Sequence, residues 1–498
     1  MTQKYNEREV SAPGTVIISA VSHCDDITRV VEPVFNSTFG NIYYINLSCD
    51  DYKLGGSSFA QILGKIGEKT PTTKDSNFVV NVFNTIQDLI RKDLIIAGHD
   101  IGSGGLITTI MEMCFADNNI AANIDLTTIG ERDSIKLLFS ENPGIVVQSK
   151  DKSIEEILDN KGIDYYKIGN VTTEKKLLLK NHSDSYEIDI EEYRDYWFKT
   201  SMLLDKKQTA NNLSEIRYTN YKKQPLNFKF PTGFSGDKPI ALKTEYRPKA
   251  AVIREKGSNS ERELANALFL AGFQVKDVHM TDLITGRENL EDVQFIGTVG
   301  GFSNSDVLGS AKGWAGAFLY NEKAKESINN FISRKDTLSI GVCNGCQLFM
   351  ELEVVNPDHE IHGKMTFNDS NKHESGFTSV NIQKNNSIMM SSLENCNLGV
   401  WISHGEGKFN LPYSEDKYNI IAKYTYKSYP SNPNGSDFNV AMMSSSDGRH
   451  LVTMPHIERS IFQWNWAYYI RGRNDEVSPW IQAFINARDW IISYNSKK

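Results

Sequence analysis

The chain has 498 residues, with 54 lysines and arginines against 62 aspartates and glutamates, for a formal net charge of −8. This length predicts two or more domains, and mixed charge without a basic stripe argues against a nucleic-acid partner. The apolar runs are no longer than a strand, so we expect no membrane-spanning segment. Six scattered cysteines, and a polar N-terminus that cannot be a secretory signal, predict a protein of the reducing cytoplasm.

Residues 1–195 are expected to form one unit. Runs of β-branched and aromatic residues predict strands at residues 15–21 and 41–47. Two later stretches predict helices at residues 84–92 and 106–115. Glycine-rich turns at residues 53–58 and 98–105 stand at helix starts. Free N–H groups at such turns attract negative charge, so each is either an anion cradle or a plain turn, and the sequence leaves both open.

Residues 196–246 are polar, rich in lysine and asparagine, and interrupted by proline and glycine. This composition predicts a linker or wrapping segment with little core of its own. From residue 247 onward, strands alternate with helices: strands at residues 250–253, 274–278 and 292–299, and a helix at 261–271. Such alternation predicts an α/β domain built on a parallel sheet, with reactive groups gathered at the carboxyl ends of the strands.

The stretch LSIGVCNGCQLFM (338–350) reads as a buried strand, a tight turn that carries Cys343, and a helix. Because backbone N–H groups and the helix dipole favour negative charge at this place, we expect the Cys343 thiol to act as a nucleophile at neutral pH. Three other interpretations stay open. Cys343 could be a packed hydrophobic residue, and with Cys346 it could form half a zinc site or a redox dithiol.

His456 and Glu458 lie two residues apart in the segment TMPHIER (453–459). At a strand end both side chains would project from one face, so Glu458 could orient the imidazole toward Cys343. Cys343 would then be the nucleophile, His456 the base and Glu458 the orienting carboxylate. An amide carbonyl attacked by the thiolate also needs donors for its oxyanion. The backbone N–H of Asn344 and one N–H of the Gly301-Phe302 loop are the predicted donors.

These residues together resemble the glutamine-dependent phosphoribosylformylglycinamidine synthase family of purine biosynthesis, in its large single-chain form. In the C-terminal half the resemblance rests on six segments in order: REKGSNS (254–260), GGFS (300–303), GVCNGCQ (341–347), SHGEG (403–407), NPNGS (432–436) and MPHIER (454–459). In the N-terminal half it rests on LGGS (54–57), GHD (98–100) with GGL (104–106), and LLFSE (137–141). The full polypeptide of the family is more than twice as long, so the chain resembles its C-terminal portion.

The resemblance implies a fold for each part. Residues 247–498 are similar to a class I glutamine amidotransferase, the glutaminase domain, with a flavodoxin-like parallel sheet. Residues 1–195 are similar to the α+β C-terminal domain of an aminoimidazole-ribonucleotide-synthetase-like module. Within that module the resemblance places a magnesium ligand at Asp100 and a nucleotide contact at Gly102, although Gly102 and Ser103 depart from the usual family residues.

The function implied is that of a ligase: L-glutamine is hydrolysed, and its ammonia serves the ATP-dependent conversion of formylglycinamide ribonucleotide to formylglycinamidine ribonucleotide. The glutaminase step needs no cofactor, whereas ATP and magnesium would bind largely through modules absent from this chain. A partner chain or the remainder of the synthase is therefore expected, whether the chain is a natural subunit, a fragment or a truncated gene product. Because the chain resembles only half of a synthetase-like module, we also expect an uncovered sheet edge and self-association.

Two other functions stay open at this stage. The chain could be a docking or regulatory subunit in which the cysteine is idle. It could also be an unrelated cysteine hydrolase on the same fold.

Overall fold

The computed structural model describes residues 2–11, 17–26, 29–37, 40–117, 119–239 and 246–496. The chain divides into two compact units, Met1–Asp195 and Tyr196–Lys498, and each unit has its own hydrophobic core. Within the described residues, no helix combines the length and the apolar character that crossing a bilayer requires.

The N-terminal unit is built around a seven-stranded sheet with helices on both faces. Its strands and helices are β1 (Thr2–Tyr5), β2 (Arg8–Ser11), β3 (Asn41–Asn46), α1 (Ser58–Ile62), α2 (Ser76–Arg91), β4 (Ile95–Asp100), α3 (Gly105–Phe115), β5 (Ala121–Asp125), α4 (Ser134–Phe139), β6 (Gly144–Ser149), α5 (Ser153–Asn160), β7 (Tyr166–Thr172), β8 (Lys176–Asn181) and β9 (Asp184–Asp189). The sheet order is β4-β6-β3-β7-β5-β8-β9, and neighbouring strands are antiparallel except β5 and β8.

Strand β3 shows why this unit has two core layers. Its side chains alternate between the faces, so that Ile42 and Tyr44 pack into the core on the α3 side, while Tyr43 and Ile45 pack into the core on the α2 side. Helix α2 begins where the Asp75 carboxylate accepts N–H groups of the first turn, and it buries one apolar face. The sequence therefore specifies a sheet covered on both faces.

The C-terminal unit contains a nine-stranded mixed sheet and a separate two-stranded ribbon. From the helix α6 (Ile190–Asp205) the chain continues through α7 (Leu213–Asn220), β10 (Lys249–Arg254), α8 (Glu261–Ala271), β11 (Gln274–His279), α9 (Met280–Thr285), β12 (Phe295–Thr298), α10 (Lys312–Leu319), α11 (Glu322–Ser333), β13 (Leu338–Val342), α12 (Asn344–Glu351), β14 (Lys364–Thr366), β15 (Glu374–Ile382), β16 (Asn397–His404), β17 (Lys408–Asn410), β18 (Ile420–Tyr424), β19 (Val440–Ser444), β20 (His450–Thr453) and α13 (Ile481–Asn495).

One half of the large sheet is parallel and has the flavodoxin-like strand order β11-β10-β12-β13-β20. The other half, β19-β18-β15-β16, continues from β20 with antiparallel pairs. The predicted α/β fold with a parallel sheet is thus confirmed, and the antiparallel half is an addition. The carboxyl ends of β12, β13 and β20 lie side by side, and the loops that follow them carry the candidate site residues.

The structure corrects one expectation about a single element. Residues 15 and 16 of the predicted first strand lie outside the described residues, and residues 17–26 contain no strand; there the side chains of Ile17, Ile18 and Val21 are exposed. β-Branched residues favour a strand only where a partner strand is present, which explains the error. Residues 196–239 contain α7, and Lys229 forms a β-bridge with Asn397. The linker or wrapping segment at residues 196–246 stays a prediction.

Candidate active site

A strained elbow presents Cys343 between the end of β13 and the start of α12. Its backbone lies at φ 53° and ψ −106°, a conformation that few non-glycine residues adopt. The Cys343 N–H donates to the Thr453 carbonyl at 2.8 Å, which ties the elbow to the end of β20. A Cβ at Gly345 would collide with the carbonyl of Thr298, so glycine is what allows α12 to begin against β12. The local sequence thus fixes the sulfur at the sheet edge.

His456 and Glu458 follow β20 and form a buried pair. Nδ1 of His456 lies 2.6 Å from Oε1 of Glu458, and the His456 N–H donates to the Trp401 carbonyl at 2.8 Å. Burial opposes the charged imidazole, but Glu458 and Cys343 outweigh it and raise the pKa of His456 to about 10. Burial likewise opposes the Glu458 carboxylate, yet His456 holds the pKa of that group below its ordinary value. Such a pair favours an imidazolium.

The loop after β12 supplies one of the two predicted oxyanion donors. Phe302 donates its N–H to the Gly257 carbonyl at 3.0 Å, which leaves Gly301 as the open donor of the two. Gly301 has φ +112°, and a Cβ there would lie 2.6 Å from the Asn259 nitrogen. On the other side stands the N–H of Asn344, the first residue of α12. Among the described residues, the N–H groups of Gly301 and Asn344 have no acceptor.

These groups surround one cavity. Cys343 and His456 line it, and the Cys343 thiol donates to the Ser403 carbonyl at 3.5 Å. The remaining lining residues come from five loops, the end of strand β16 and helix α12: Asn259, Gly301, Phe302, Asp306, Gln347, Phe367, Ser403, His404, Gly405, Glu406 and Arg459. A nucleophile, an imidazole oriented by a carboxylate, and two free N–H groups are the parts that acyl transfer from an amide requires.

The neighbouring Cys346 does not share this cavity. It is completely buried, and burial raises the pKa of its thiol well above the ordinary value. In the part of the chain that the structure describes, no three His, Cys, Asp or Glu side chains gather as metal ligands. The geometry therefore favours the nucleophile interpretation of Cys343 over a zinc half-site.

Asp100 and Gly102 lie in the other unit: Asp100 ends strand β4, and Gly102 lies in the turn that leads into α3. The Asp100 side chain is 84% exposed, with Oδ1 3.4 Å from Nδ1 of His99, and a Cβ at Gly102 would meet open space. Magnesium demands several oxygen ligands in an octahedral arrangement, and one exposed carboxylate is a poor fit. The assignments of Asp100 to magnesium and Gly102 to a nucleotide stay predictions.

The two glycine-rich turns of this unit are joined by Glu141. Its Oε1 accepts the N–H of Ser58 at 2.7 Å and the N–H of Gly104 at 2.8 Å. The N–H groups of Gly55 and Gly56 donate to backbone carbonyls. A carboxylate of the chain itself thus holds the N–H groups that a phosphate would use, so the turns fit an internal bridge better than an anion cradle.

Sequence reasoning missed several residues of the cavity. Asp306, His404 and Glu406 line it, although the SHGEG and GGFSNSD segments were visible only as motifs. The effect of Gly300 was missed as well: this residue is not among those that line the cavity, but a Cβ there would lie 2.7 Å from Cε1 of His456. The sequence did offer one signal for these residues: they stand at or just after the ends of strands of an α/β sheet, where ligands bind.

The comparisons with known proteins agree with this geometry. The family described as CobB/CobQ-like glutamine amidotransferase domain matches residues 247–491, and the AIR synthase related protein, C-terminal domain, matches residues 48–180. The probable phosphoribosylformylglycinamidine synthase, chloroplastic/mitochondrial, of Arabidopsis thaliana is 36% identical over 97% of this chain and 36% of its own length. The probable phosphoribosylformylglycinamidine synthase of Caenorhabditis elegans is 36% identical over 97% of this chain and 40% of its own length.

Among solved structures, PurLQS from Thermotoga maritima matches with a TM-score of 0.39 and 23% identity, over 50% of this chain and 100% of that chain. The chain spans well under half the length of the two curated relatives described above. On the strength of these relatives and of the two matched domains, the chain belongs to the phosphoribosylformylglycinamidine synthase family, as its C-terminal portion.

Proposed function

We propose that the Tyr196–Lys498 unit hydrolyses L-glutamine and that the ammonia serves the ATP-dependent conversion of formylglycinamide ribonucleotide to formylglycinamidine ribonucleotide. The observation that carries this proposal is that Cys343 and His456 line one cavity while the buried Glu458 holds Nδ1 of His456. The name of the curated relatives supports the destination of the ammonia. Formylglycinamide ribonucleotide, ATP and magnesium would be bound by synthetase modules that act as the partner of this chain.

The reaction begins with attack of the Cys343 thiolate on the carboxamide carbon of glutamine. The C–S bond forms, and the electron pair of the carbonyl moves onto oxygen, where the N–H groups of Gly301 and Asn344 stabilise it. Losing one such donor typically costs about 3 kcal/mol of transition-state stabilisation.

Proton transfer then falls to His456. Its imidazolium protonates the leaving nitrogen, so that ammonia departs and a thioester remains on Cys343. The neutral imidazole next removes a proton from water, whose oxygen attacks the thioester and releases glutamate and the thiolate. General acid–base catalysis of this kind contributes roughly 100- to 10,000-fold. Glu458 supports both stages because it holds Nδ1 protonated and stabilises the cation.

The decisive experiment is Cys343→Ala. We expect this variant to lose glutamine hydrolysis and to lose stoichiometric labelling by a glutamine-like electrophile, both measured on the full chain. Cys396→Ala is the matched control, because Cys396 is a buried free cysteine of the same unit that does not line the cavity. Hydrolysis at the full rate in Cys343→Ala would show that the nucleophile is assigned wrongly.

The docking or regulatory alternative makes a different prediction for the same measurement, since an idle cysteine gives no stoichiometric adduct.

For the compartment we propose the cytoplasm, supported by the free state of all six cysteines. The Arabidopsis relative carries the description chloroplastic/mitochondrial, which applies to that protein. Localisation of a tagged full chain tests this part.

A further inference from the structure

A cluster of charged side chains connects the end of α6 with α7 and with the start of β15. Arg217 of α7 donates from Nη1 to Oδ2 of Asp205 and from Nη2 to Oε2 of Glu374, both at 3.0 Å. Lys372 pairs with the other oxygen of Asp205, and the Tyr429 hydroxyl donates to Oε1 of Glu374 at 3.0 Å. We call these five residues the latch. The side chains of Asp205 and Glu374 are only 12% and 6% exposed, so each carboxylate needs the partners that the latch supplies.

The residues between α6 and α7 also hold the loop that leads into β15. The Ala210 N–H donates to the Ser370 carbonyl at 3.0 Å, and the Asn211 side chain donates to the Asp369 carbonyl at 2.7 Å. Lys372 of the latch belongs to the same loop. Residues 205–217 therefore hold this loop through its backbone as well as through ion pairs.

Asn368 extends this attachment to the cavity. It is 1% exposed, and its Nδ2 donates to the His404 carbonyl at 2.7 Å, while its Oδ1 accepts the Gly407 N–H at 3.0 Å. Its backbone N–H donates to the Gly405 carbonyl at 2.9 Å. One buried residue thus joins the loop before β15 to residues 403–407, which we call the wall.

The wall and the neighbouring loop together supply several residues of the cavity lining: Phe367, Ser403, His404, Gly405 and Glu406. Among the described residues, neither ring nitrogen of His404 has a hydrogen-bond partner, and a Cβ at Gly407 would lie 2.5 Å from its Nδ1. The ring is therefore placed by packing and by the main chain, which Asn368 holds.

We propose that residues 205–220 position the wall of the glutaminase cavity, with Arg217 and Asn211 as positioning residues that act through the loop of Asn368. This inference rests on the proposed glutaminase function and adds to it an element outside the cavity. The latch and Asn368 form a continuous path of contacts from α6 and α7 to the wall.

The reacting groups have a separate support. The Cys343 N–H donates to the Thr453 carbonyl at 2.8 Å, and the strands β13 and β20 that precede Cys343 and His456 pair directly with each other. If only a fraction of the molecules has a wall that is ready to bind glutamine, the apparent affinity falls by that fraction, whereas saturating substrate restores the competent state. A loosened latch should therefore raise KM and leave kcat unchanged.

The first test is Arg217→Met in the full chain. We expect KM for glutamine to rise about tenfold, the order of one lost hydrogen bond between charged groups, and kcat to change less than about twofold. Hydrogen–deuterium exchange should become faster in peptides that cover residues 367–373 and 403–408, and it should stay unchanged over residues 338–350. Arg488→Met is the control, because the Arg488 side chain is only 14% exposed and binds Asp489 and the Ala271 carbonyl.

Asn211→Gly tests the proposal without removing a charge from the latch. Asn211 and Asn212 are both exposed, with φ of 57° and 56°, so glycine suits either backbone. The Asn211 side chain donates to the Asp369 carbonyl, whereas the Asn212 side chain caps no N–H of α7 in the part of the chain that the structure describes. We expect Asn211→Gly to raise KM about threefold, as for one neutral hydrogen bond, and Asn212→Gly to leave it unchanged.

Equal KM values for Asn211→Gly and Asn212→Gly, or unchanged exchange over residues 403–408 in Arg217→Met, would overturn the assignment. A loss of kcat at constant KM in Arg217→Met would overturn it as well, because the latch would then only maintain the fold. Failure of the proposed function has a different signature: the unmodified protein would not hydrolyse glutamine, while the exchange rates would still report whether the latch holds the wall.

Discussion

Gly300 keeps open the space between the nucleophile and the base. A Cβ at this position would lie 2.7 Å from Cε1 of His456 and 3.3 Å from Cβ of Cys343. We expect Gly300→Ala to push the imidazole away and to lower kcat for glutamine hydrolysis about 100-fold, since a displacement of roughly 1 Å has an effect of that order. Steady-state kinetics on the full chain measures this loss.

The matched control for this change is Gly376→Ala on β15, where an added Cβ would meet no atom within 4 Å. This variant should keep the kcat of the unmodified protein. If Gly300→Ala also keeps it, with unchanged circular dichroism, the contact between Gly300 and the imidazole has no catalytic importance.

The His456–Glu458 pair predicts how stability depends on pH. The folded protein raises the pKa of His456 from 6.5 to about 10, so the folded state binds this proton more tightly than the unfolded state. The resulting stabilisation is complete below pH 6.5 and is lost as the pH rises toward 10. We expect the free energy of unfolding to fall over this window, and to fall less in His456→Gln, as measured by urea titration with tryptophan fluorescence. Parallel curves for the two proteins would contradict the shift.

At the scale of single residues, the sequence was informative where the position of a residue type points to one role. The glycines around Cys343 and the spacing of His456 and Glu458 predicted a nucleophile and its base. The approach of Gly300 to the imidazole, and the position of Asp306 and Glu406 on one cavity, could not be predicted. Both depend on loops that are distant in the chain and are brought together by the order of strands in the sheet.

At the scale of elements, Glu141 joins the starts of α1 and α3. Replacing it by alanine leaves the N–H groups of Ser58 and Gly104 without their acceptor. Because these groups are partly open to water, we expect Glu141→Ala to destabilise the N-terminal unit by about 1–2 kcal/mol, toward the low end for hydrogen bonds to a charged group. Thermal unfolding followed by circular dichroism measures the change.

Phosphate provides a second test of this bridge. With the carboxylate removed, millimolar phosphate should occupy the vacated N–H groups and restore part of the lost stability of Glu141→Ala. Glu156→Ala, at an exposed position of α5, should lose no stability and show no such rescue. Equal effects of phosphate on the two variants would mean that the turns have no affinity for anions.

The elements differ in how well the sequence predicted them. Helix α8 and strands β10 and β11 match their predicted ranges to within a residue. The buried parallel strand β10 and the amphipathic helix α8 have strong and different apolar patterns. Helix α2 begins eight residues before the predicted start at residue 84, because its first turns are set by the Asp75 cap. Residues 17–21 do not form the predicted strand, because a strand needs a partner strand and the local sequence does not specify one.

For the molecule as a whole, the separate cores of the two units predict separate unfolding. All seven tryptophans lie in Tyr196–Lys498, and six of them lie beyond helix α6, so fluorescence reports mainly on that unit, whereas circular dichroism reports on both. A covalent glutamine-like adduct on Cys343 adds contacts only in the C-terminal unit. Because a gain of 1 kcal/mol corresponds to roughly 2–4 °C in a domain of this size, the adduct should raise the midpoint seen by fluorescence by a few degrees. The transition seen only by circular dichroism should stay in place. Coincident transitions that move together after labelling would show instead that the two units unfold as one cooperative body.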